Sequence, residues 1–464
     1  MHGHVVVREF APTPLRTVAR AAPGRCHDGG QADRQGVAPS CRRPVIRGRV
    51  MIMVMAAASA AAASGDGQDS PPRFADAGAY WAGPVVVEGE APDHHPLTRD
   101  LSPRACAACH PRQFQEWRES LHAGAVSPGL LGQLDAFTYD ERKRCFACHV
   151  PVAGQQLEWE MRGLEAVTDL HGVDCAACHV RGQGRFGPRP RGTTPHGAVA
   201  APAFFRQSGF CAPCHQFGPD GVAVNGKPLE NTHAEWAASE HGQAGRTCQS
   251  CHMPGGSHRF AGIHDPAMTA RALRVEAVRT PGGVRVVLAN VGAGHALPTY
   301  SVPRIRVTVS APGRPVLEHI IGWQLEWDAG DGWRERADSR LGPDESVSLE
   351  YPLAAAGTAG LEIRVEPDAD YFERVYPALL EALAEDIPTE SLALLHTARR
   401  RAGESPYLLL RMTCGPAAAQ VSPCAVSANL HAVDIARTVG EDPAGRPMSA
   451  SPPASGRPEP RQRH

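Results

Sequence analysis

Ten of the fourteen cysteines fall into five identical frames: Cys106-Ala-Ala-Cys109-His110, Cys145-Phe-Ala-Cys148-His149, Cys175-Ala-Ala-Cys178-His179, Cys211-Ala-Pro-Cys214-His215 and Cys248-Gln-Ser-Cys251-His252. Two thiols three positions apart share one side of a helical turn, where they reach the two vinyl groups of a single porphyrin. The histidine that follows then lies under the iron, so CxxCH is the attachment signature for haem c. CxxC pairs also build tetrahedral zinc sites, but zinc does not require a histidine directly after the second cysteine. All five pairs have one. The expected cofactors are therefore five covalently bound haems c, with the ten frame cysteines as thioether donors and His110, His149, His179, His215 and His252 as proximal iron ligands.

Five proximal histidines leave five iron faces to fill. Ten histidines outside the frames lie between residues 94 and 295: His94, His95, His122, His171, His196, His233, His241, His258, His264 and His295. Two histidines on every iron make a low-potential electron carrier, whereas one open iron makes a site for a small oxidant. The candidates for the second face are His122, His241, His264, His258, His171 and His295, ahead of the loop residues His94, His95, His196 and His233. His122 closes the segment FQEWRESLH, which reads as a helix begun just after His110. Twelve residues along one helix is ~18 Å, so His122 cannot fold back to the haem of its own frame and, as a ligand rather than an exposed or core histidine, would serve another. His241 stands in a repeated W-x-x-S-x-H setting. His295 lies in the turn segment GAGHALPT, from which a ligand can reach out of its own domain. Met161 and Met268 read as packing residues.

The elements that must position these residues divide the chain. Arg42, Arg43, Arg47 and Arg49 precede the apolar run VMIMVMAAASAAAA, residues 50–63, which ends in small residues. That order reads as a signal peptide over 42–63 cleaved near Ala63, and the run is shorter than the ~20 residues of a membrane span. The protein is thus expected to be periplasmic or extracellular, with no stable membrane span after cleavage. Residues 1–41, which include Cys26 and Cys41, read as a doubtful extension ahead of a true start near Val45. A lead-in over 64–100 is followed by the pentahaem domain, 101–267, mainly α and irregular. Period-two alternation in RALRVEAV, VRVVLANV, RIRVTVSA, EHIIGWQLEW, ESVSLEYPL and LEIRVEP predicts an all-β immunoglobulin-like sandwich over 268–370. A short helical hairpin and a carboxyl-terminal loop fill 371–443, with a break at Pro388, and a disordered tail occupies 444–464. Cys414 and Cys424, ten residues apart in an exported chain, are expected to form a disulfide.

Only 6% of residues are aromatic, against 47 glycines and 42 prolines. A compact stretch of the 147 residues from the first frame to the last has a radius of gyration of ~15 Å. Five macrocycles in that volume must touch and form much of the core, and close contact is what electron hopping needs. The net charge of −2 carries no footprint for nucleic acid. The expected partners are redox proteins, and self-association is left open.

The segments CAACHPRQFQEWRESLH and EWAASEHGQAGRTCQSCHMP, and more loosely NVGAGHALPT, resemble the multihaem cytochrome c superfamily that includes the cytochrome c-554 type proteins of ammonia oxidation, over roughly residues 100–300. The resemblance implies electron transfer between periplasmic or extracellular redox enzymes, and in some relatives reduction of nitrogen or sulfur oxyanions such as nitrite, hydroxylamine or tetrathionate. Catalytic relatives often replace a frame histidine by lysine. All five frames here keep histidine, which favours a carrier over a reductase, with a structural subunit of an extracellular cytochrome assembly as a third reading. Five frames and an appended sandwich depart from the best-known members.

Overall fold

Short helices start wherever a frame approaches, and most begin on a capping side chain. In the computed structural model, which describes residues 73–82, 85, 100–192, 194–300, 304–328, 332–353, 357–417 and 421–428, Ser102 caps Pro103–Ala107 and Asp174 caps Cys175–His179. Thr138 and Glu141 close a reciprocal capping box on Tyr139–His149. The signal-type segment 42–63, Cys26, Cys41, His94, His95 and the tail 444–464 lie outside the described residues.

Each frame sits on or at the end of one of these helices. Cys145, Cys148 and His149 form the last turn of Tyr139–His149, the third and fifth frames are the helices Cys175–His179 and Cys248–His252, and the fourth ends Ala212–His215. The apolar clusters among them are small. One gathers Leu131, Leu134, Phe146, Val150, Trp159 and Leu170, and another gathers Tyr80, Phe186, Phe204 and Phe205.

From Leu273 the period changes to two, and the burial follows it. Leu273, Val275 and Ala277 are buried while Arg274 and Glu276 face out. The strand Leu273–Thr280 turns at Pro281 into Gly283–Asn290, pairing Leu273 with Asn290 and Thr280 with Gly283. Two antiparallel sheets result. One has the order Ser346–Pro352, Gly283–Asn290, Leu273–Thr280, Ser422–Pro423, and the other Ala425–Ala428, Tyr407–Cys414, Ala359–Glu366, Ile305–Ser310, Leu317–Ile321. Val284, Val286 and Leu288 of the first meet Val307, Val309, Ile363 and Val365 of the second in one core. The Cys414–Cys424 disulfide is formed, and the Cys424 N–H donates to the Ala277 carbonyl at 2.8 Å, so the bond staples one sheet to the other.

Two elements differ from the sequence expectation. EHIIGWQLEW is not one strand: it breaks at Gly322 into Leu317–Ile321 and Trp323–Asp328, the latter pairing with Gly332–Asp338 in a separate hairpin. A Cβ at Gly322 would lie 2.4 Å from the Arg304 side chain, so the close approach at the break needs glycine. Tyr407–Cys414 is a strand between two others of the five-stranded sheet, beyond the boundary read at residue 370. Its apolar run YLLL lacks alternation, as a strand buried on both faces can. Between them the helices Tyr376–Leu383 and Thr389–Gly403 pack through Leu383, Ile387 and Leu395, and Ser391 Oγ donates to Asp135 of the frame-bearing region. Among the described residues no helix is long and apolar enough to cross a membrane.

Candidate haem-binding site

The frame helices bring cysteines of different frames together. The Cys106 thiol is hydrogen-bonded to Cys175, Cys148 to Cys214, and Cys211 to Cys248. The first and third frames, the second and fourth, and the fourth and fifth are therefore neighbours in space.

Four frame histidines each face a second imidazole. The ring centres of His110 and His196 are 6.3 Å apart, those of His179 and His258 6.2 Å, those of His252 and His295 6.3 Å, and those of His122 and His215 6.3 Å. The first three pairs are near parallel, with interplanar angles of 25°, 30° and 15°, and the fourth is tilted at 45°. This spacing is the test of fit for haem. A metal–imidazole nitrogen bond is ~2.0 Å and the ring centre lies ~1.2 Å behind that nitrogen, so two imidazoles on opposite sides of one metal would have centres ~6.4 Å apart.

The outer nitrogens support the same reading. His179 Nδ1 lies 2.7 Å from the Phe186 carbonyl, His252 Nδ1 2.7 Å from Ala261, His149 Nδ1 3.0 Å from Ala125, His258 Nδ1 3.0 Å from Gly256 and His295 Nδ1 2.9 Å from Ala296. A carbonyl on Nδ1 fixes the proton there and leaves Nε2 as the ligand atom. Burial holds His122, His179 and His295 at about 4, helped in each case by neighbouring histidines, so these rings are neutral, as ligand imidazoles must be.

The sequence-predicted second ligands separate into two groups. His122, His258 and His295 stand opposite frame histidines, each from a frame other than the one that precedes it most closely or from another module. The chain reaches His122 by a shorter helix than expected, since Pro111–Arg118 ends at Arg118 and a turn carries the histidine away. His241, His264 and His171 are not brought opposite a frame histidine. His264 Nε2 is 2.9 Å from Asp368 Oδ1, and His241 Nδ1 is 3.1 Å from Arg246 Nη1. The W-x-x-S-x-H repeat is real as a turn, with the Ser120 and Ser239 N–H groups donating to the Trp117 and Trp236 carbonyls, but its two histidines take different surroundings. His196, ranked low among loop histidines, faces His110, and its Nδ1 is 2.8 Å from Thr194 Oγ1. Opposite His149 no histidine ring stands at this spacing among the described residues.

Frames, paired imidazoles and their carbonyl supports have the pattern of a multihaem c-type cytochrome. Residues 105–180 match the family model described as cytochrome c554 and c-prime, so the chain is cytochrome c-554-like over that segment. It is 33% identical over 90 residues to cytochrome c-554 of Nitrosomonas europaea, a match that takes in 17% of this chain and 37% of that relative's length. Among solved structures, a penta-heme cytochrome c552 from Thermochromatium tepidum superposes with a TM-score of 0.48 at 21% identity, over 69% of this chain and all of that one.

Proposed function

We propose that this chain is an exported pentahaem electron carrier working between periplasmic or extracellular redox proteins. The carrying observation is the set of four histidine pairs with centres 6.2–6.3 Å apart. When bound, haem c supplies one-electron exchange at iron. The chain's own residues do the rest. The ten frame cysteines would hold the macrocycles, the five frame histidines would supply the proximal ligands, and His196, His122, His258 and His295 would supply the second ligands at the first, fourth, third and fifth frames. Neighbouring frames, whose cysteines approach one another, would hold their macrocycles close enough for electrons to pass between them.

The haem module is read as residues 101–267 and the two-sheet unit as an immunoglobulin-like sandwich. Its strand order, with Ser346–Pro352 beside Gly283–Asn290 and Ala359–Glu366 between Tyr407–Cys414 and Ile305–Ser310, follows that of such sandwiches.

His149 favours one alternative. Its Nδ1 is held by Ala125 as in a proximal ligand, yet no described histidine faces it, and His94 and His95 lie outside the described residues. An iron with one protein ligand would make the chain an oxidoreductase of a small nitrogen or sulfur oxyanion. A low-temperature spin-state spectrum of the oxidised holoprotein decides. Entirely low-spin haem supports the carrier, whereas a high-spin fraction of about one in five supports the oxidoreductase.

A further inference from the structure

His252 and His295 come from different parts of the chain. His252 ends a frame helix, while His295 lies in the segment between the strands Gly283–Asn290 and Ile305–Ser310 of the two-sheet unit. What fixes His295 opposite His252 is a set of contacts centred on Glu235 in the helix Thr232–Ala238. Glu235 Oε2 accepts the Ala296 N–H at 3.0 Å and the Thr299 hydroxyl at 2.9 Å, and Oε1 lies 3.6 Å from Arg340 Nη1. Ala296 is thereby held at both ends, because its own carbonyl sits 2.9 Å from His295 Nδ1. On the far side Asn290, fully buried, donates to the His295 carbonyl at 2.9 Å. Gly294 lets the segment close on the helix: a Cβ there would lie 2.9 Å from Ser239 Oγ and 3.0 Å from His241 Cβ.

We propose that Glu235 is a positioning residue for His295. Its carboxylate seats residues 295–299 on the haem module and so makes the second ligation at the fifth frame depend on the docking of the two-sheet unit. Its Oε2 accepts two hydrogen bonds from the segment, and its Oε1 faces a guanidinium whose side chain is only 9% exposed. The proposal rests on the reading of His295 as an iron ligand, and the test separates the two.

The experiment compares ligand-field spectra of oxidised holoproteins with full haem content. Glu235→Ala is expected to convert up to one haem in five from low to high spin, as His295→Ala does, and added imidazole is expected to restore the low-spin spectrum. Glu235→Gln, which keeps an acceptor oxygen for Ala296, is expected to recover most of the low-spin signal. Glu235→Asp keeps the charge but shortens the reach by one methylene, and it moves the spectrum in the same direction should the alanine variant not accumulate. Lys227→Ala removes another cross-module ion pair, Lys227 to Glu335 and Asp338 at 3.0 and 3.2 Å, and is expected to leave the spectrum unchanged. A high-spin haem in His295→Ala together with an unchanged spectrum in Glu235→Ala and Glu235→Asp overturns the role of Glu235 alone. An equal change in Lys227→Ala also overturns it, by making the effect one of general docking. An unchanged spectrum in His295→Ala overturns the ligand reading beneath it.

Discussion

At the residue scale, chemistry that repeats is legible and chemistry that comes singly is not. The frames announce themselves because two thioethers and a proximal ligand need fixed spacing on one turn. A second ligand needs only an imidazole at the right point in space, which any loop can supply. His196 illustrates this: nothing in TTPHGA marks it, and only the fold sets it 6.3 Å from His110. His264 is the converse, a histidine in a suggestive position whose Nε2 is engaged by Asp368. Asp174 is a residue whose role sequence alone leaves hidden. It caps the third frame helix, accepting the Ala177 N–H at 2.9 Å and Gln155 Nε2 at 2.9 Å, and burial raises its carboxyl from 3.8 to about 6. Because the folded value lies above the unfolded one, the stabilising contribution is complete below about 3.8 and is lost as pH rises through about 6. The loss amounts to about 3 kcal/mol. Thermal unfolding of Asp174→Asn should lack this dependence, so parent and variant should diverge between pH 4 and pH 7, with the parent losing ground. A constant difference across that range would count against a buried, protonatable cap.

At the element scale, strands with one wet face were readable and others were not. LRVEAVRT alternates because Arg274 and Glu276 face water between the buried Leu273, Val275 and Ala277, and it forms the strand Leu273–Thr280. YLLLRM does not alternate because the consecutive residues Leu409 and Leu410, which point to opposite faces of the strand, are both buried, so it had no clear period to betray it. The disulfide was legible from spacing and context, but not its reach. It ends the strand Tyr407–Cys414 and ties it to Ala277 across the core. On the chain-entropy relation for a loop of this length, replacing Cys414 and Cys424 by alanine should cost ~2–3 kcal/mol of stability toward denaturant. The loss should fall on the two sheets, so hydrogen exchange in Leu273–Thr280 and Tyr407–Cys414 should quicken while the helices of the frames keep their protection. Equal loosening of both regions would mean that the sheets and frames unfold as one unit.

At the scale of the whole molecule, the thin apolar clusters around the frames fit a core completed by macrocycles rather than by side chains. Intact-mass measurement of the mature protein should therefore give five haems, and a count below four, or bound zinc, would dismiss the reading of the frames. The same molecule sets a problem in biogenesis. Twelve described cysteines fall into two classes: Cys414 and Cys424 are joined, whereas the ten frame cysteines are unjoined and, on the proposed reading, would have to stay reduced to form thioethers. Surroundings oxidising enough to close the first pair also oxidise vicinal CxxC thiols, so some reductant has to reopen the frames. It must spare the staple, and accessibility separates the two classes: Cys414 and Cys424 are 0% and 8% exposed, while Cys109 lies open and the other nine frame cysteines are partly exposed. If the paired sheets close first, the finished bond is out of reach when the frames are being reduced, and order of folding becomes the means by which one chain keeps two kinds of sulfur chemistry apart.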